Sequence, residues 1–277
     1  MIRYKKDLIL KVMVHGILII TLFALIFPFI WMLFGAFKDA NEVIQMPPKI
    51  FPSKFNLTNF SEIRSLFPVE LFLFNSILVA LVSTLLQMIF CAAAGYIFAK
   101  VSFKGRELLF TLYLITMMIP QQLIMITLYK VFVGMNLQNT YLGIILPGTY
   151  NALGIFLLRQ HISTISDSFL EAGFMDGASH FRVFRQIILP LCKPALATLA
   201  ILAFMGSWNA FLWPLIITSD TRLATLPLGL SKLQSRWTTS WNLLMAGNVV
   251  SFIPMLLVYI FAQRYFIKSI SLSGVKG

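Results

Sequence analysis

Charged side chains are scarce in this sequence. Only 12% of its 277 residues are charged, while 58% are hydrophobic. A composition this apolar excludes an ordinary soluble domain and is typical of a membrane protein. Acidic and basic side chains are almost absent from the long apolar runs, so the sequence offers no proton relay and no voltage-sensor pattern.

Residues that carry catalysis or bind metals are also scarce. The cysteines Cys91 and Cys192 and the histidines His15, His161 and His180 share no metal-ligand spacing, so we expect packing thiols and no metal site. The dipeptide Gly-Lys, which a Walker A loop requires, never occurs. We therefore expect a non-catalytic chain that binds no cofactor. If it drives active transport, a partner must supply the energy.

The formal net charge of +12 does not indicate a nucleic-acid partner. The basic residues stand in short clusters beside apolar runs, with no basic face and no known nucleic-acid motif. Charge that flanks membrane spans explains these clusters better.

Six apolar runs are long enough to cross a bilayer, which predicts an all-α polytopic fold with six transmembrane helices. The first, residues 12–37, follows a basic segment, 1–11. At about 25 residues it exceeds the ~7–15 of a signal peptide, so we expect an uncleaved span. Pro28 predicts a kink in this span. The other five runs cover about residues 71–99, 108–131, 141–158, 191–217 and 243–266.

The polar segments give the predicted topology. Residues 38–70 contain four prolines and predict an external loop with little regular structure. Six spans place both termini on one side, which carries 14 Lys and Arg against 8 on the other. The richer side is expected to be cytoplasmic, together with the loop 159–190 and the tail 267–277.

All five tryptophans fall at the outer ends of predicted spans or in the last outer link, as in an interfacial aromatic belt. We expect them to anchor the spans, with Trp208 the one that could serve a solute instead. They are Trp31, Trp208, Trp213, Trp237 and Trp241.

The loop at residues 171–190, EAGFMDGASHFRVFRQIILP, is far more polar than the runs beside it. Ser168 and Glu171 predict a capping box for a short helix. Gly177 predicts a tight turn, and Ser179 predicts the N-cap of a second short helix. The second helix has an apolar side made of Phe181, Phe184 and Ile188. Two amphipathic helices at a turn either join two spans or dock onto another protein.

Uncharged polar residues lie within the predicted spans. An amide in a bilayer needs a partner, so each either hydrogen-bonds between helices, which is the commoner use, or lines a hydrated path. Amides and aromatic rings without buried charge suit a neutral, hydroxyl-rich solute. The candidates for such a path are Gln87, Gln121, Gln122, Ser207, Trp208 and Asn209.

Several motifs resemble the permeases of ABC importers. Residues 171–190 match the EAA-loop pattern E-A-A-x3-G-x9-I-x-L-P except at Gly173, where a second Ala is usual. The segments SWNAFLWPL (207–215), TLPLGL (225–230) and QRYFIKSISLSGVKG (263–277) are similar to the carbohydrate branch, the six-span subunit of the maltose and glycerol-phosphate type. The resemblance covers almost the whole chain.

The resemblance implies a type I importer permease fold, with a five-helix core at 71–266 and a first helix that wraps around a second permease. The implied partners are that permease in a heterodimer, two cytoplasmic ATPase subunits that hold ATP and magnesium, and an external solute-binding protein. A bacterial inner membrane is the implied location. The tail residues 273–277 are implied to reach the ATPase interface. The residues implied to couple to the ATPase are Glu171, Ala172, Gly173, Phe174, Asp176 and Gly177.

The resemblance leaves the solute open. A sugar or oligosaccharide is the expected cargo, and a permease for an amino acid, phosphate or polyamine is the nearest alternative. An ion-coupled secondary transporter would need inverted repeats or charges within the membrane, and we find no convincing repeat.

Overall fold

A computed structural model describes residues 2–234 and 239–274, with side chains described for 10–234, 239–261 and 263. The predicted anchor Trp237, most of the basic side chains of segment 1–11 and the side chains of the tail 267–277 lie outside the described residues. Within the described ranges the secondary structure is helical apart from one bridge between Gln234 and Thr239. The predicted all-α fold is confirmed.

Fifteen α-helices are described in chain order. They are α1 (Ile2–Gly35), α2 (Ala40–Val43), α3 (Thr58–Leu66), α4 (Val69–Lys100), α5 (Arg106–Ile115), α6 (Gln121–Gly134), α7 (Tyr141–Ile145), α8 (Ala152–Ser163), α9 (Ser168–Met175), α10 (His180–Val183), α11 (Leu189–Leu191), α12 (Lys193–Trp208), α13 (Leu212–Ile217), α14 (Leu226–Ser231) and α15 (Trp241–Gly274). A π-helical turn, Phe184–Ile188, links α10 to α11. Helix α1 continues through Pro28 as one element.

Three straight helical segments are long and apolar enough to span a membrane: Leu10–Gly35, Val69–Lys100 and Trp241–Phe261. Three further candidates are pairs of helices bent at short breaks, by 102° near Pro120, 44° near Tyr150 and 80° near Cys192. Counting each bent pair as one span gives six in the described part of the chain, the number that the sequence predicts.

The fifth predicted run, 191–217, is not one continuous helix. Helix α12 ends at Trp208, and α13 begins only at Leu212. At its other end α12 continues from the loop helices across the 80° bend. A hydrophobic run therefore gives the extent of apolar sequence but not the places where the backbone turns.

The segment 38–70, predicted to be an external loop, is more regular than its prolines predict, because it contains α2 and the nine-residue α3. The buried Asn59 amide donates to the carbonyls of Ala36 and Lys38 at 2.9 and 2.8 Å. Ser53 donates its N–H and its hydroxyl to Glu42, and these hydrogen bonds hold the pKa of that carboxyl below its usual value. One buried amide and one carboxylate thus tie this segment together through side-chain hydrogen bonds.

The chain divides into two compact units. One comprises Met1–Val69 with Leu230–Ile253, and the other comprises Glu70–Gly229 with Pro254–Gly277. The larger unit has a core around both free cysteines, which are buried among Tyr96, Leu158 and Leu199. The prediction that Cys91 and Cys192 are packing thiols is confirmed.

Two of the predicted interfacial tryptophans are buried within the larger unit. Trp213 donates its indole N–H to the carbonyl of Gly143 at 2.9 Å and meets the ring of Phe132 edge-on. Trp208 is 2% exposed and stacks on Phe204 at 5.7 Å. Anchoring in the membrane interface is therefore wrong for Trp213, whose ring packs between helices. Trp208, the exception that could serve a solute, is buried against a residue of its own helix.

Candidate functional site

The loop between α8 and α12 begins with α9. The predicted capping box is wrong, because Ser168 already lies inside the helix and the N-cap is Asp167. The carbonyl of Asp167 accepts the N–H groups of Leu170 and Glu171, both at 2.9 Å. The Glu171 side chain is thereby left exposed and free to meet a partner.

Helix α9 ends in a Schellman motif at Gly177. The N–H of Gly177 donates to the carbonyl of Phe174, and the N–H of Ala178 donates to that of Gly173, both at 3.0 Å. Gly177 has φ +76°, in the left-handed region that favours glycine. The predicted tight turn is confirmed and has a defined hydrogen-bond pattern.

The second part of the loop starts at Ser179. Its hydroxyl accepts the N–H of Arg182, which confirms the predicted N-cap. The chain then runs through α10, the π-helical turn and α11 as one bent rod. Of its predicted apolar side, Ile188 is fully buried, Phe184 is half-buried and Phe181 is 70% exposed. Only part of that side therefore packs inside the chain.

Helix α9 has one buried side and one exposed side. Leu170 and Gly173 face the core. Around them an exposed surface combines a carboxylate with large apolar groups: Phe169 is 53% exposed and Met175 is 88% exposed. The predicted coupling residues on this exposed surface are Glu171, Ala172, Phe174, Asp176 and Gly177. Gly173 is the exception, since it packs against the loop's second half.

The loop is tied to α4 by two polar contacts that the sequence did not predict. Lys100, whose side chain is 6% exposed, donates to the carbonyl of Ile165 at 2.6 Å and to the carboxylate of Asp167 at 2.5 Å. The Tyr96 hydroxyl lies 3.1 Å from Nδ1 of His180. Both contacts join residues more than 60 positions apart, and spacing along the chain carries no signal for such pairs.

Helix α8, which leads into the loop, is held to the start of α5. The guanidinium of Arg159 donates to both carboxylate oxygens of Glu107 at 2.7 and 2.8 Å. It also lies 3.8 Å from the centre of the Phe110 ring. Both bonds come from Nη2 of Arg159, and together with the cation–π contact they fix the end of α8 more firmly than a single hydrogen bond would.

The candidates for a solute path fall on different helices. Gln87 is buried on α4, where it donates to the carbonyl of Gly148 and accepts from the amide of Asn151 at 2.8 Å. These bonds hold the break between α7 and α8 together. For Gln87 the geometry therefore supports interhelical bonding, the commoner of the two uses considered.

The remaining path candidates divide into two groups. Gln121 and Gln122 are exposed at the start of α6, directly after the 102° bend. At the end of α12, Trp208 is buried in packing and the exposed Asn209 donates its amide back to the carbonyl of Met205. Ser207, directly before Trp208, is half-buried. Gln121 and Gln122 therefore lie exposed beside a bend, whereas Trp208 is part of the buried core.

A polar aromatic group that the sequence did not single out lies at two of the bends. Tyr150 is 51% exposed, its hydroxyl is hydrogen-bonded to that of Thr116, and its ring lies 5.0 Å from that of Tyr113. Thr116 begins the short turn that precedes Gln121. The sequence does hold a signal for this group, since Tyr150 closely follows Pro147 and Gly148. These two residues predict a helix break, and a helix break exposes backbone and polar side chains.

These features define a class of protein: a polytopic membrane protein with an exposed loop between two of its candidate spans. The chain belongs to the family described as "Binding-protein-dependent transport system inner membrane component", whose model matches residues 91–272. The chain is therefore the non-catalytic membrane component of such a transport system.

Curated relatives match over nearly the full length. The chain is 34% identical over 255 residues to the arabinooligosaccharides transport system permease protein AraQ of Bacillus subtilis (strain 168), with 91% of each chain covered. It is 32% identical over 269 residues to the sn-glycerol-3-phosphate transport system permease protein UgpE of Yersinia enterocolitica, covering 94% of this chain and 96% of the relative.

Solved structures support the fold. A chain in the crystal structure of a bacterial ABC transporter involved in the import of the acidic polysaccharide alginate matches with a TM-score of 0.83 at 24% identity, covering 94% of this chain and 98% of that one. A chain of the alginate transporter in complex with an alginate pentasaccharide-bound periplasmic protein matches with a TM-score of 0.64. The predicted importer permease fold is confirmed.

Proposed function

We propose that this chain is one of two permease subunits of an ATP-driven importer for a sugar or oligosaccharide. A second permease, two ATPase subunits and an external solute-binding protein complete the transporter, and ATP and magnesium belong to the ATPase subunits. Both termini and the loop 159–190 face the cytoplasm. The support for a sugar comes from the relative that carries the name of an arabinooligosaccharides transport system.

The observation that carries the coupling role is the exposed surface of α9. A carboxylate at Glu171, large apolar groups and a glycine turn stand together on a loop anchored to α4. Such a surface fits a groove of another protein, with the apolar groups filling it and the carboxylate forming a charge-assisted hydrogen bond. ATP closes the ATPase dimer and carries the docked helices with it, which switches the spans between inward-open and outward-open states.

The solute path runs past the bends rather than along straight helices. Exposed Gln121, Gln122 and Tyr150 offer amides, a hydroxyl and a ring face, which suit the hydroxyl groups and the apolar faces of sugars. These side chains carry no charge, which favours a neutral solute over an organic phosphate such as the one in the name of the UgpE relative.

The test is uptake in proteoliposomes that contain the chain with its partner subunits. Arabinose oligosaccharides, glycerol 3-phosphate and an amino acid mixture are offered with the solute-binding protein. ATP-dependent uptake of the oligosaccharide alone supports the proposal. ATP-dependent uptake of glycerol 3-phosphate instead would keep the permease and exclude the sugar. Uptake that follows an ion gradient and ignores ATP would refute ATP-driven import.

A further inference from the structure

An open groove of about 840 Å³ lies in the larger unit between α4, the second half of the loop and the start of α12. Its walls are almost entirely apolar, with Met88, Ala93 and Leu196 among the residues that line it. Leu85 and Ile89, on the α4 side, are each more than half exposed. A membrane protein with such an opening needs an apolar molecule to fill it.

The groove has two chemically different ends. From Leu85 to Ile97 it follows α4 for about 18 Å at ~1.5 Å per residue, slightly more than one bilayer leaflet, which is half of ~30 Å. The end near Leu85 is wholly apolar, whereas the end near Ile97 holds the cationic side chains of Arg185 and Lys193. Both cations are exposed, and neither forms an ion pair with a described residue.

Contacts across the core establish which end the cations occupy. A Cβ on Gly154 would lie 2.8 Å from both Cys91 and Leu199, so these two residues of α4 and α12 are at one level. Lys193 lies six residues before Leu199, on the side where α4 reaches Tyr96 and its partner His180. The cations therefore stand where the spans meet the loop, at the level of lipid headgroups.

We propose that this groove binds an anionic phospholipid, with the acyl chains along α4 and the phosphate between Arg185 and Lys193. The apolar part of the groove matches the acyl chains of such a lipid, and the two cations at its other end match the anionic headgroup. The lipid would lie in the leaflet on the side of the loop. A transmembrane helix of a partner would need an apolar surface along the whole groove and would leave the two cations without a counter-charge.

The binding test uses the full-length chain assembled with its partner subunits in nanodiscs of equal phosphatidylglycerol and phosphatidylcholine. Lipids that stay bound after transfer to detergent are counted by native mass spectrometry. The variant Arg185→Gln/Lys193→Gln is expected to lower the preference for phosphatidylglycerol about tenfold, since each cation near the surface contributes to anionic-lipid binding. The matched control is Lys104→Gln/Arg182→Gln, which removes two exposed cations outside the groove and is expected to retain the preference.

A second variant tests the apolar part. Ala93→Trp narrows the groove and is expected to reduce the number of retained lipids of both kinds while the two cations remain. Equal retention in the groove and control double variants would overturn the proposal. So would an Ile89→Cys side chain that crosslinks to the second permease chain in the assembled transporter, because the groove would then be an interface between subunits.

Discussion

Gly173 packs directly against Ile187. A Cβ atom added to Gly173 would lie 2.9 Å from Cδ1 of Ile187 and 3.2 Å from Cγ2 of Val183. This contact joins the two halves of the loop, because α9 packs here against the π-helical turn. The position where the EAA pattern carries a second alanine is therefore a packing position in this chain rather than part of the exposed docking surface.

A double-mutant cycle tests this contact. Gly173→Ala gains helix propensity but pushes on Ile187, and Ile187→Val alone loses about 0.5–1.5 kcal/mol by removing a buried methyl group. In the double variant, the methyl group of Ala at position 173 occupies the space that Ile187→Val vacates. We therefore expect a favourable coupling free energy of roughly 0.5–1 kcal/mol, measured by thermal unfolding of the detergent-solubilised protein. The control is Gly206→Ala in α12, which has no neighbour within 4 Å and reports helix propensity alone. Strict additivity of the two changes would contradict the contact.

Gly177 is required for its backbone conformation and not for space inside the chain. Nothing lies within 4 Å of an added Cβ, while its φ is +76°. We expect Gly177→Ala to cost about 1 kcal/mol of loop stability, and Gly177→Asn to cost less, because asparagine tolerates this region. Limited proteolysis of the loop compares the stability of the unmodified protein, Gly177→Asn and Gly177→Ala, which we expect to fall in that order.

Docking adds a requirement for small size at this position. Gly177→Leu is expected to resemble Gly177→Ala in proteolysis of the isolated chain but to bind the ATPase subunits much less tightly. Equal ATPase binding by the Ala and Leu variants would mean that position 177 lies outside the docked surface.

Lys100 positions the start of the loop between α8 and α12. Its ammonium group is almost buried and bonds both Ile165 and Asp167. Lys100→Met retains the apolar stem but leaves the Ile165 carbonyl without this donor, so we expect about 1–3 kcal/mol less protection from local opening. Hydrogen exchange of the backbone amides of residues 165–175 measures this loss of protection. The exposed Lys104 offers the control Lys104→Met, for which exchange should not change.

Gln87 distinguishes a structural amide from a solute-binding one. Its side chain joins the carbonyl of Gly148 to the amide of Asn151. Gln87→Leu should lower thermal stability by about 1–3 kcal/mol, because two half-buried groups lose their partner. In transport assays we expect an unchanged KM for the solute. A large rise in KM with normal stability would return Gln87 to the solute path.

The sequence predicts the helices and turns of this protein better than the bends and the contacts between its helices. Apolar length predicts the spans, and Ser179 and Gly177 predict a cap and a turn, since these signals are local. The capping box at Ser168 fails because the backbone carbonyl of Asp167 accepts the first N–H groups instead. The bends near Tyr150 and Cys192 lie beside prolines, a local signal for a break that does not give the angle. The Lys100 anchor and the burial of Trp213 depend on contacts between distant residues, which no local pattern encodes.

The central claim is that Glu171 transmits ATP-driven motion to the spans. The direct measurement is ATP-dependent uptake by the assembled transporter with Glu171→Ala. The control is Glu62→Ala, which removes an exposed carboxylate on α3 in the segment predicted to be external. We expect uptake to fall at least about tenfold for Glu171→Ala, in line with the loss of a charge-assisted contact, while purified assembly and Glu62→Ala uptake stay normal. Uptake by Glu171→Ala equal to that of the unmodified protein would contradict the account.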